Sequence, residues 1–156
     1  MEARTTGLRE TLDRLRAVNA RLRDLGPVLE VIAADTQAVA DDSFSLSQTP
    51  AGAPWAPLAA STIRGRRRGS GVPLVDTGRL RASVTATPTA TGIRFGTNAA
   101  YGGFHQHGTR RIPSRAFLPV DGSPGSYSLT TGGRGGVHWA RARAAVKRYI
   151  LTGDVS

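Results

Sequence analysis

The sequence predicts a single α+β domain over residues 1–156, in which N-terminal helices pack on a small, mostly antiparallel β-sheet. Three observations predict this class. Leucines recur at helical spacing near the start of the chain. Short alternating segments bounded by threonine and glycine begin after residue 74. A long stretch rich in glycine, proline and arginine separates the two, and a basic helix is expected near the end.

Residues 1–44 are predicted to be helical. Apolar side chains recur every three or four residues, which gives the first helix one apolar face, at Leu8, Leu12, Leu15, Val18, Leu22 and Leu25. Gly26-Pro27 ends this helix, and Pro27 suits the first turn of a second one that reaches about Phe44. Its apolar face is expected to hold Val28, Val31, Ile32 and Val39. The helices pack on the sheet or on each other, or the first one mediates self-assembly or partner docking.

Residues 45–73 are predicted to form a long, irregular surface loop. Proline lacks the amide donor and glycine is costly to order, and this stretch holds several of each. It carries one large apolar side chain, Trp55, and a run of positive charge from Arg64 to Arg68. Long loops of this kind are usually functional or disordered.

Residues 74–120 are predicted to be rich in β-structure. Leu80–Thr85 and Ile93–Phe95 alternate as strands do, and Thr89–Gly92 suits the connection of a hairpin. Tyr101–His107 fits a strand or a short helix. Residues 121–136 are expected to be a second loop rich in glycine and serine, and residues 137–151 a basic C-terminal helix.

Charge is distributed unevenly along the chain. Residues 51–156 carry fifteen basic groups against three acidic ones, whereas residues 27–50 carry four acids and no base. This asymmetry predicts a polyanionic neighbour, either nucleic acid or an acidic protein surface. The acidic segment Glu30–Asp42 is in turn expected to meet a basic surface on an adjacent subunit. The N-terminus runs directly into a charged segment and apolar runs are short, so neither a secretory signal nor a membrane span is expected.

The pair His105 and His107 is the strongest candidate for a metal site. Two residues apart in a strand, two imidazoles share a face and could bind one ion. Zinc or iron needs a third and usually a fourth ligand, whereas the nearest acids, Asp76 and Asp121, are isolated in the sequence and His138 is distant. We therefore predict no metal and no cofactor. A metal-dependent hydrolase stays open as a third alternative, which stoichiometric bound metal would reveal.

Other catalytic patterns are missing from the sequence. The chain has no cysteine, which excludes thiol catalysis, disulfides and cysteine-ligated zinc. Ser83 and Ser114 lack the flanking glycines of a nucleophile elbow. The glycine pairs do not match the phosphate-binding pattern GxxxxGK[ST]. We predict that the protein is not an enzyme.

An ordered series of motifs between residues 44 and 120 resembles the phage virion morphogenesis family, the tail-completion proteins of Mu-like and P2-like contractile-tailed phages. The series consists of Phe44, Pro50–Leu58, Leu74–Ser83, Phe95–Tyr101, His105–Gly108 and Ile112–Leu118. The family commonly has an apolar or aromatic residue at the position that His107 occupies here. The histidine leaves room for a polar interface at this position. The series assigns a structural-motif role to Trp55, Asp76, Thr77, Gly78, Arg79, Leu80, Tyr101, His105, Gln106, Gly108, Arg115 and Phe117.

The resemblance implies a structural protein of the virion neck or tail end, assembled in the host cytoplasm, that completes the tail and enables head–tail joining. It implies a homo-oligomeric ring around the DNA path, sixfold to match the tail, in contact with tail terminator or tube and head–tail connector proteins. The side chains expected to face a partner or DNA are Arg64, Arg66, Arg67, Arg68, Arg110, Arg111, Arg141, Arg143, Lys147 and Arg148. The alternative is a basic DNA-binding accessory protein that uses the 64–68 arginine loop and the C-terminal helix, with affinity that falls steeply as salt rises.

Overall fold

The computed structural model describes residues 2–66, 71–123 and 126–155, with side chains from residue 7 onward except that of Ser123. The elements of these ranges are, in order, α1 (Glu2–Arg23), α2 (Gly26–Leu46), α3 (Ala60–Gly65), α4 (Arg79–Ser83), β1 (Val84–Thr89), β2 (Gly92–Thr97), α5 (Gly102–His107), β3 (Val120–Ser123), β4 (Ser126–Leu129) and α6 (Gly133–Thr152). The α+β class is confirmed. The strands form two separate antiparallel hairpins, β1–β2 and β3–β4, where the sequence predicted one sheet.

The second helix, α2, is the central element of the fold. Pro27 lies in its first turn, and Ser47 ends it in the left-handed conformation at φ 52°. Its buried positions recur every three or four residues, so one broad face contacts β1, β2 and α6. These positions are Val28, Leu29, Ile32, Ala33, Thr36, Val39, Ala40, Ser43 and Phe44. Val31, which the sequence placed on this face, is exposed because it lies about 140° from the centre of the buried face on the helix wheel.

Two hydrophobic clusters lie along α2. The first consists of Ala40, Phe44, Trp55, Leu80, Val84 and Phe117. In it the ring of Phe44 lies 5.7 Å from that of Trp55 and 5.4 Å from that of Phe117, within the range of favourable aromatic pairs. The second consists of Val28, Ile32, Trp139 and Tyr149, with Phe95 6.0 Å from Trp139. The motif series thus contributes the first cluster, and the two ends of the chain contribute the second.

Strand β1 begins later than the alternation predicted. Arg79–Ser83 forms the single helical turn α4, and the strand starts at Val84. Gly78, at φ 76°, turns the chain into this helix, and Ser83 Oγ donates a hydrogen bond to the carbonyl of Leu80. A helical turn buries Leu80 and Val84 four residues apart as well as alternation would. The hairpin itself is confirmed, with Thr89 paired to Gly92 across a two-residue turn.

The C-terminal third contains more regular structure than the sequence predicted. Residues 121–136 were expected to be a loop, but they include most of the hairpin β3–β4 and the start of α6 at Gly133. The described β4 side chains are exposed, so the hairpin has no alternating burial to reveal it. Gly133 has φ 54°, and a Cβ there would lie 2.4 Å from the Ala51 backbone, so glycine lets α6 begin directly against the 50–51 turn.

Helix α1 is attached to the body mainly at its C-terminal end. Arg21 Nη1 donates to the carbonyls of Ile150 and Leu151 at 3.2 and 3.0 Å, and the Tyr149 hydroxyl donates to the carbonyl of Asp24 at 2.9 Å. The bonds from Arg21 cap the open carbonyl end of α6, and the bond from Tyr149 satisfies a carbonyl just beyond the end of α1. Of the helices in the described ranges, none has the length and apolar character to cross a membrane.

Candidate partner-binding cleft and basic surfaces

Motif residues that are scattered between positions 66 and 115 converge on one cleft of about 550 Å³. Helix α3, the 74–80 turn, α5 and the 111–115 segment form its walls. The polar and aromatic side chains that line it are Thr62, Arg66, Asp76, Thr77, Arg79, Tyr101, His105, Arg111 and Arg115. The tertiary structure therefore gives a shared location to residues that the sequence singled out separately.

The 76–80 turn presents its polar side chains to the cleft because Gly78 and the buried Leu80 fix its backbone. Gly78 adopts the left-handed conformation at φ 76°, which other residues rarely adopt. Leu80 is buried in the first cluster and anchors the turn. Thr77 Oγ1 accepts a long hydrogen bond from the Arg79 amide at 3.4 Å. The turn thus keeps Asp76 and Arg79 on the cleft side of the buried leucine.

Gln106 fixes helix α5 to the segment that follows it. Its Oε1 accepts from the amides of Phe117 and Leu118 at 3.0 and 3.1 Å. Its Nε2 donates over longer distances to the carbonyls of Leu118 and Val120, 3.4 and 3.3 Å away. Gly108, at φ 76°, lets the chain turn between the two segments, since a Cβ there would lie 2.8 Å from the Ser114 nitrogen. This clamp sets where α5 presents its side chains to the cleft.

Arg115 and Trp55 join the proline-rich segment to the 115–117 strand-like segment. Arg115 is only 5% exposed, and its guanidinium donates to the carbonyls of Ala56 and Pro57 at 2.9 and 3.0 Å. Trp55 Nε1 donates to the carbonyl of Ala116 at 2.9 Å. A buried guanidinium bonded to carbonyls satisfies main-chain groups that proline-rich backbone leaves unpaired.

The cleft is electropositive and partly desolvated. Burial lowers the pKa of Arg115 below its usual value, and the nearby Arg66 guanidinium lowers it further. Burial, and then the charge of Arg115, also lower the pKa of His105 below 6.5, which favours its neutral form at neutral pH. Two buried atoms, Asp76 Oδ1 and His105 Nδ1, have no hydrogen-bond partner among the described residues. Buried polar atoms are normally satisfied, so these are the atoms that a bound group or water would contact.

The cleft is suited to binding an anionic or carbonyl-bearing segment. Four arginines face one carboxylate, and the Tyr101 ring packs edge-on against His105 with centroids 6.1 Å apart. Thr77 is an exposed motif residue of the cleft, and its hydroxyl oxygen accepts from a backbone amide. Such a charge distribution attracts acidic chain segments.

The histidine pair does not form the shared face that a strand would give. His105 and His107 lie in helix α5, where residues two apart point about 200° from each other. His107 Nε2 lies 3.0 Å from the Tyr127 hydroxyl on β4, which gives this histidine a polar partner. In the described ranges, no three His, Asp or Glu side chains lie close enough to hold a metal ion.

The predicted basic residues are distributed over several surfaces. Arg64 is exposed in the last turn of α3, whereas Arg66 folds back and donates to the carbonyls of Val72 and Val75. Arg67 and Arg68 lie outside the described residues. Arg110 and Arg111 are exposed in a turn closed by the Thr109 amide, which donates to the Ile112 carbonyl at 2.7 Å. Of the members of this group that the structure describes, Arg66 and Arg111 reach the cleft.

The basic residues of α6 form two rows instead of one face. Arg141 and Arg148 share with Arg134 a side that lines pockets between α6 and α2. Arg143 and Lys147, four residues apart, are exposed on another side of the helix. The spacing of seven and of four residues is visible in the sequence, but only the packing of α6 shows which row borders α2.

A buried polar chain that the sequence did not predict joins α2 to α6. His138 Nδ1 lies 2.6 Å from Asp35 Oδ2, and its Nε2 lies 3.0 Å from Thr36 Oγ1. The Thr36 hydroxyl donates to the carbonyl of Ile32 at 2.7 Å and is buried. The order acid, imidazole, hydroxyl is that of a nucleophile triad, but this hydroxyl is committed to a carbonyl and closed to a substrate. This series of hydrogen bonds is therefore a structural link between α2 and α6. The one sign of it in the sequence was a threonine, Thr36, on the apolar face of α2.

The acidic residues of α2 also pair within the chain. Asp41 accepts from Arg81 Nε at 3.2 Å, and Asp42 is ion-paired with Arg134. Both pairs are about half exposed, so each contributes little to stability. The acidic residues of α2 thus pair at least partly with bases of their own subunit, whereas the sequence predicted pairing with an adjacent subunit.

A model of the phage virion morphogenesis family matches residues 3–147, nearly the whole chain. The match extends well beyond the 44–120 motif series, to most of α1 at one end and most of α6 at the other. No curated protein and no solved structure gives a significant match.

Proposed function

The chain belongs to the phage virion morphogenesis family, and from this premise we propose that it is a structural protein of the phage neck or tail end. In this proposal it completes the tail and allows the tail to join a DNA-filled head. The coarser role, a part in the structure or assembly of a phage virion, follows from the family itself.

One observation supports a structural role above all others. Three residues of the motif series use their polar groups to hold distant main-chain segments in place. Gln106 bonds the backbone of residues 117–120, Arg115 bonds that of residues 56–57, and Trp55 bonds that of Ala116. A family signature that includes such backbone clamps preserves a shape, and a preserved shape is what an assembly subunit needs.

The proposed partners follow from the distribution of charge. The protein would form a homo-oligomeric ring, sixfold to match the tail, with the DNA path through its centre. The exposed bases Arg64, Arg110, Arg143 and Lys147 would face the DNA or acidic neighbouring rings. The electropositive cleft would receive an acidic segment of a tail terminator, tube or connector protein.

Loss of the gene tests the proposal directly. In a genome that produces the particles, deletion should leave DNA-filled heads and full-length tails as separate particles in electron micrographs. A plasmid copy of the unaltered gene should restore joined particles. Joined, infectious particles in the absence of the protein would refute the proposal.

A second candidate function, a DNA-binding accessory protein, is favoured by the exposed pair Arg143 and Lys147 on the outer side of α6. It predicts that the isolated protein binds duplex DNA with an affinity that falls steeply between 50 and 200 mM salt, on the order of tenfold for every two or so phosphate contacts. The variant R143Q/K147Q should weaken binding, whereas R9Q/R16Q, which removes two charges from α1, should weaken it less. Equal loss in both variants would indicate attraction to net charge without a DNA-binding surface.

A further inference from the structure

Helix α1 presents a stripe of leucines to solvent. Leu8, Leu15 and Leu22 recur every seven residues and are 61%, 60% and 53% exposed, and Leu12 lies beside them. At about 100° per residue, the four side chains lie within about 80° of one another on the helix. We call them the leucine stripe. Single exposed leucines are ordinary, but a stripe on one helix face is typical of an interaction surface.

The leucine stripe is not the face by which α1 contacts its own body. The side chains of α1 that are partly buried are Ala17, Val18 and Arg21, centred about 130° around the helix from the stripe. From Gly7 to Arg16 every side chain is exposed. A helical segment shorter than about 12–15 residues is only marginally stable in water without a packed face. The N-terminal half of α1 therefore lacks, within the described parts of its own subunit, the packing that would stabilise it.

The surface that fits the stripe is a groove between α2 and α6. The two helices run antiparallel, since Asp42 pairs with Arg134, Asp35 with His138, and Asp24 with Tyr149 further along. Two adjoining pockets of about 590 and 400 Å³ lie between them and share Asp35 and Arg141. Small and branched apolar side chains line this α2–α6 groove, namely Val31, Ala38, Val39, Val137, Ala142, Ala144 and Ala145. Alanines on both walls leave space that leucines can fill.

We propose that the leucine stripe of one copy occupies the α2–α6 groove of a neighbouring copy, as an amphipathic helix lies in an apolar groove. The lengths agree, because the 22 residues of α1 span about 33 Å and the 20 residues of α6 about 30 Å. This inference deepens the proposed function, and rests on the self-assembly part of it.

Charge favours a second copy as the occupant and sets the orientation of α1. Arg9, Arg16 and Arg23 follow one border of the leucine stripe at intervals of seven residues. The α2 wall of the groove carries Asp35 and Asp42, each paired with a residue of α6 but still 35% and 46% exposed to a second cation, with Glu30 exposed beside Val31. Arg16 is paired with Asp13, but both are more than two-thirds exposed and such a pair exchanges at little cost. The arginine border therefore faces the acidic α2 wall, away from the arginines of α6.

Geometry directs the stripe to another copy and not to the groove of its own chain. Only two residues, 24 and 25, connect α1 to α2. The bonds from Arg21 to the carbonyls of Ile150 and Leu151 hold α1 at the C-terminal end of α6. The stripe and the groove are different surfaces, so the contact is head-to-tail, and repetition of such a contact forms a ring when its rotation closes.

Cysteine cross-linking tests the contact, because the chain has no native cysteine. Leu8→Cys, Leu15→Cys and Leu22→Cys are each mixed with a size-tagged Ala38→Cys protein and oxidised. A disulfide needs Cα atoms within about 7 Å, and three positions about 10 Å apart sample the register of the helix. At least one mixture should give the tagged heterodimer, whereas the control Glu10→Cys, exposed on the opposite side of α1, should not. No heterodimer from any mixture would overturn the inference. Cross-linking of the leucine variants alone would do so as well, since it would show α1 pairing with itself.

Self-association provides the second measurement. Leu15→Glu should weaken the oligomer of the full chain at least tenfold by light scattering, whereas Glu10→Lys, a charge change on the opposite side of α1, should leave it unchanged, with folding checked by circular dichroism. An intact Leu15→Glu oligomer would overturn the groove contact and leave the proposed ring standing. A monomeric unaltered protein would overturn both, and head–tail joining is measured separately by the deletion described above.

Discussion

Gln106 offers the most direct test of how the motif series maintains the fold. Replacing it with leucine retains the approximate volume and removes the amide group. Two short bonds are lost, those from the amides of Phe117 and Leu118 at 3.0 and 3.1 Å, and the Phe117 amide is buried. The two contacts at 3.3 and 3.4 Å are long enough to contribute little.

The expected loss can be worked from these bonds. A buried amide left without a partner costs about 1–3 kcal/mol, and the partly buried Leu118 amide can recover some of this from water. Gln106→Leu should therefore lower the free energy of unfolding by about 2–4 kcal/mol. Urea denaturation of the purified protein measures this value, provided that the slope with denaturant stays unchanged.

A matched control uses the same chemical change at an accessible site. Gln37 in α2 makes one long contact, 3.5 Å, to Asp41. Gln37→Leu should change the free energy of unfolding by less than about 0.5 kcal/mol. A loss below about 1 kcal/mol for Gln106→Leu, or equal losses in the two variants, would refute the claim that Gln106 clamps α5 to the 117–120 segment.

Three further predictions concern other parts of the fold. Gly108→Ala should cost about 2–4 kcal/mol by thermal denaturation, because its φ is positive and its Cβ would meet the Ser114 nitrogen; an unchanged midpoint would contradict this. His105→Gln should make the free energy of unfolding less dependent on pH. The pKa of His105 is lowered in the folded protein, so the unfolded protein binds a proton at a higher pH than the folded one does. The stability of the unaltered protein therefore falls as the pH drops below 6.5. Urea titrations at pH 7.5 and 5.5 that give equal losses in variant and unaltered protein would exclude this role. His138→Phe should cost about 1–3 kcal/mol, and a double-mutant cycle with Asp35→Ala should show coupling rather than additivity.

The sequence by itself determined the fold class and the elements that have local signals. Helical spacing and Gly26-Pro27 predicted the two N-terminal helices, and Thr89–Gly92 predicted the turn of the first hairpin. Helix periodicity and turn chemistry both depend on residues close together in the sequence, so the sequence alone reveals them. The motif series likewise predicted the family, which the match over residues 3–147 confirmed.

Local patterns were not sufficient where backbone contacts decide the structure. The hairpin β3–β4 has exposed side chains on its described second strand, so hydrogen bonding rather than burial forms it. Helix α6 begins at Gly133 because its backbone meets the 50–51 turn, more than eighty residues earlier in the chain. A pattern in residues 121–136 alone could not reveal either contact.

Only the tertiary structure decided how the candidate surfaces are composed. It assembled Arg66, Asp76, His105 and Arg115 into one cleft, and divided the bases of α6 into a row beside α2 and a row facing solvent. It also left the leucine stripe of α1 uncovered, although the same periodicity in α2 is buried. Periodicity fixes which side chains share a helix face, but what covers that face depends on residues distant in the sequence, and here we propose that it depends on a second copy of the chain.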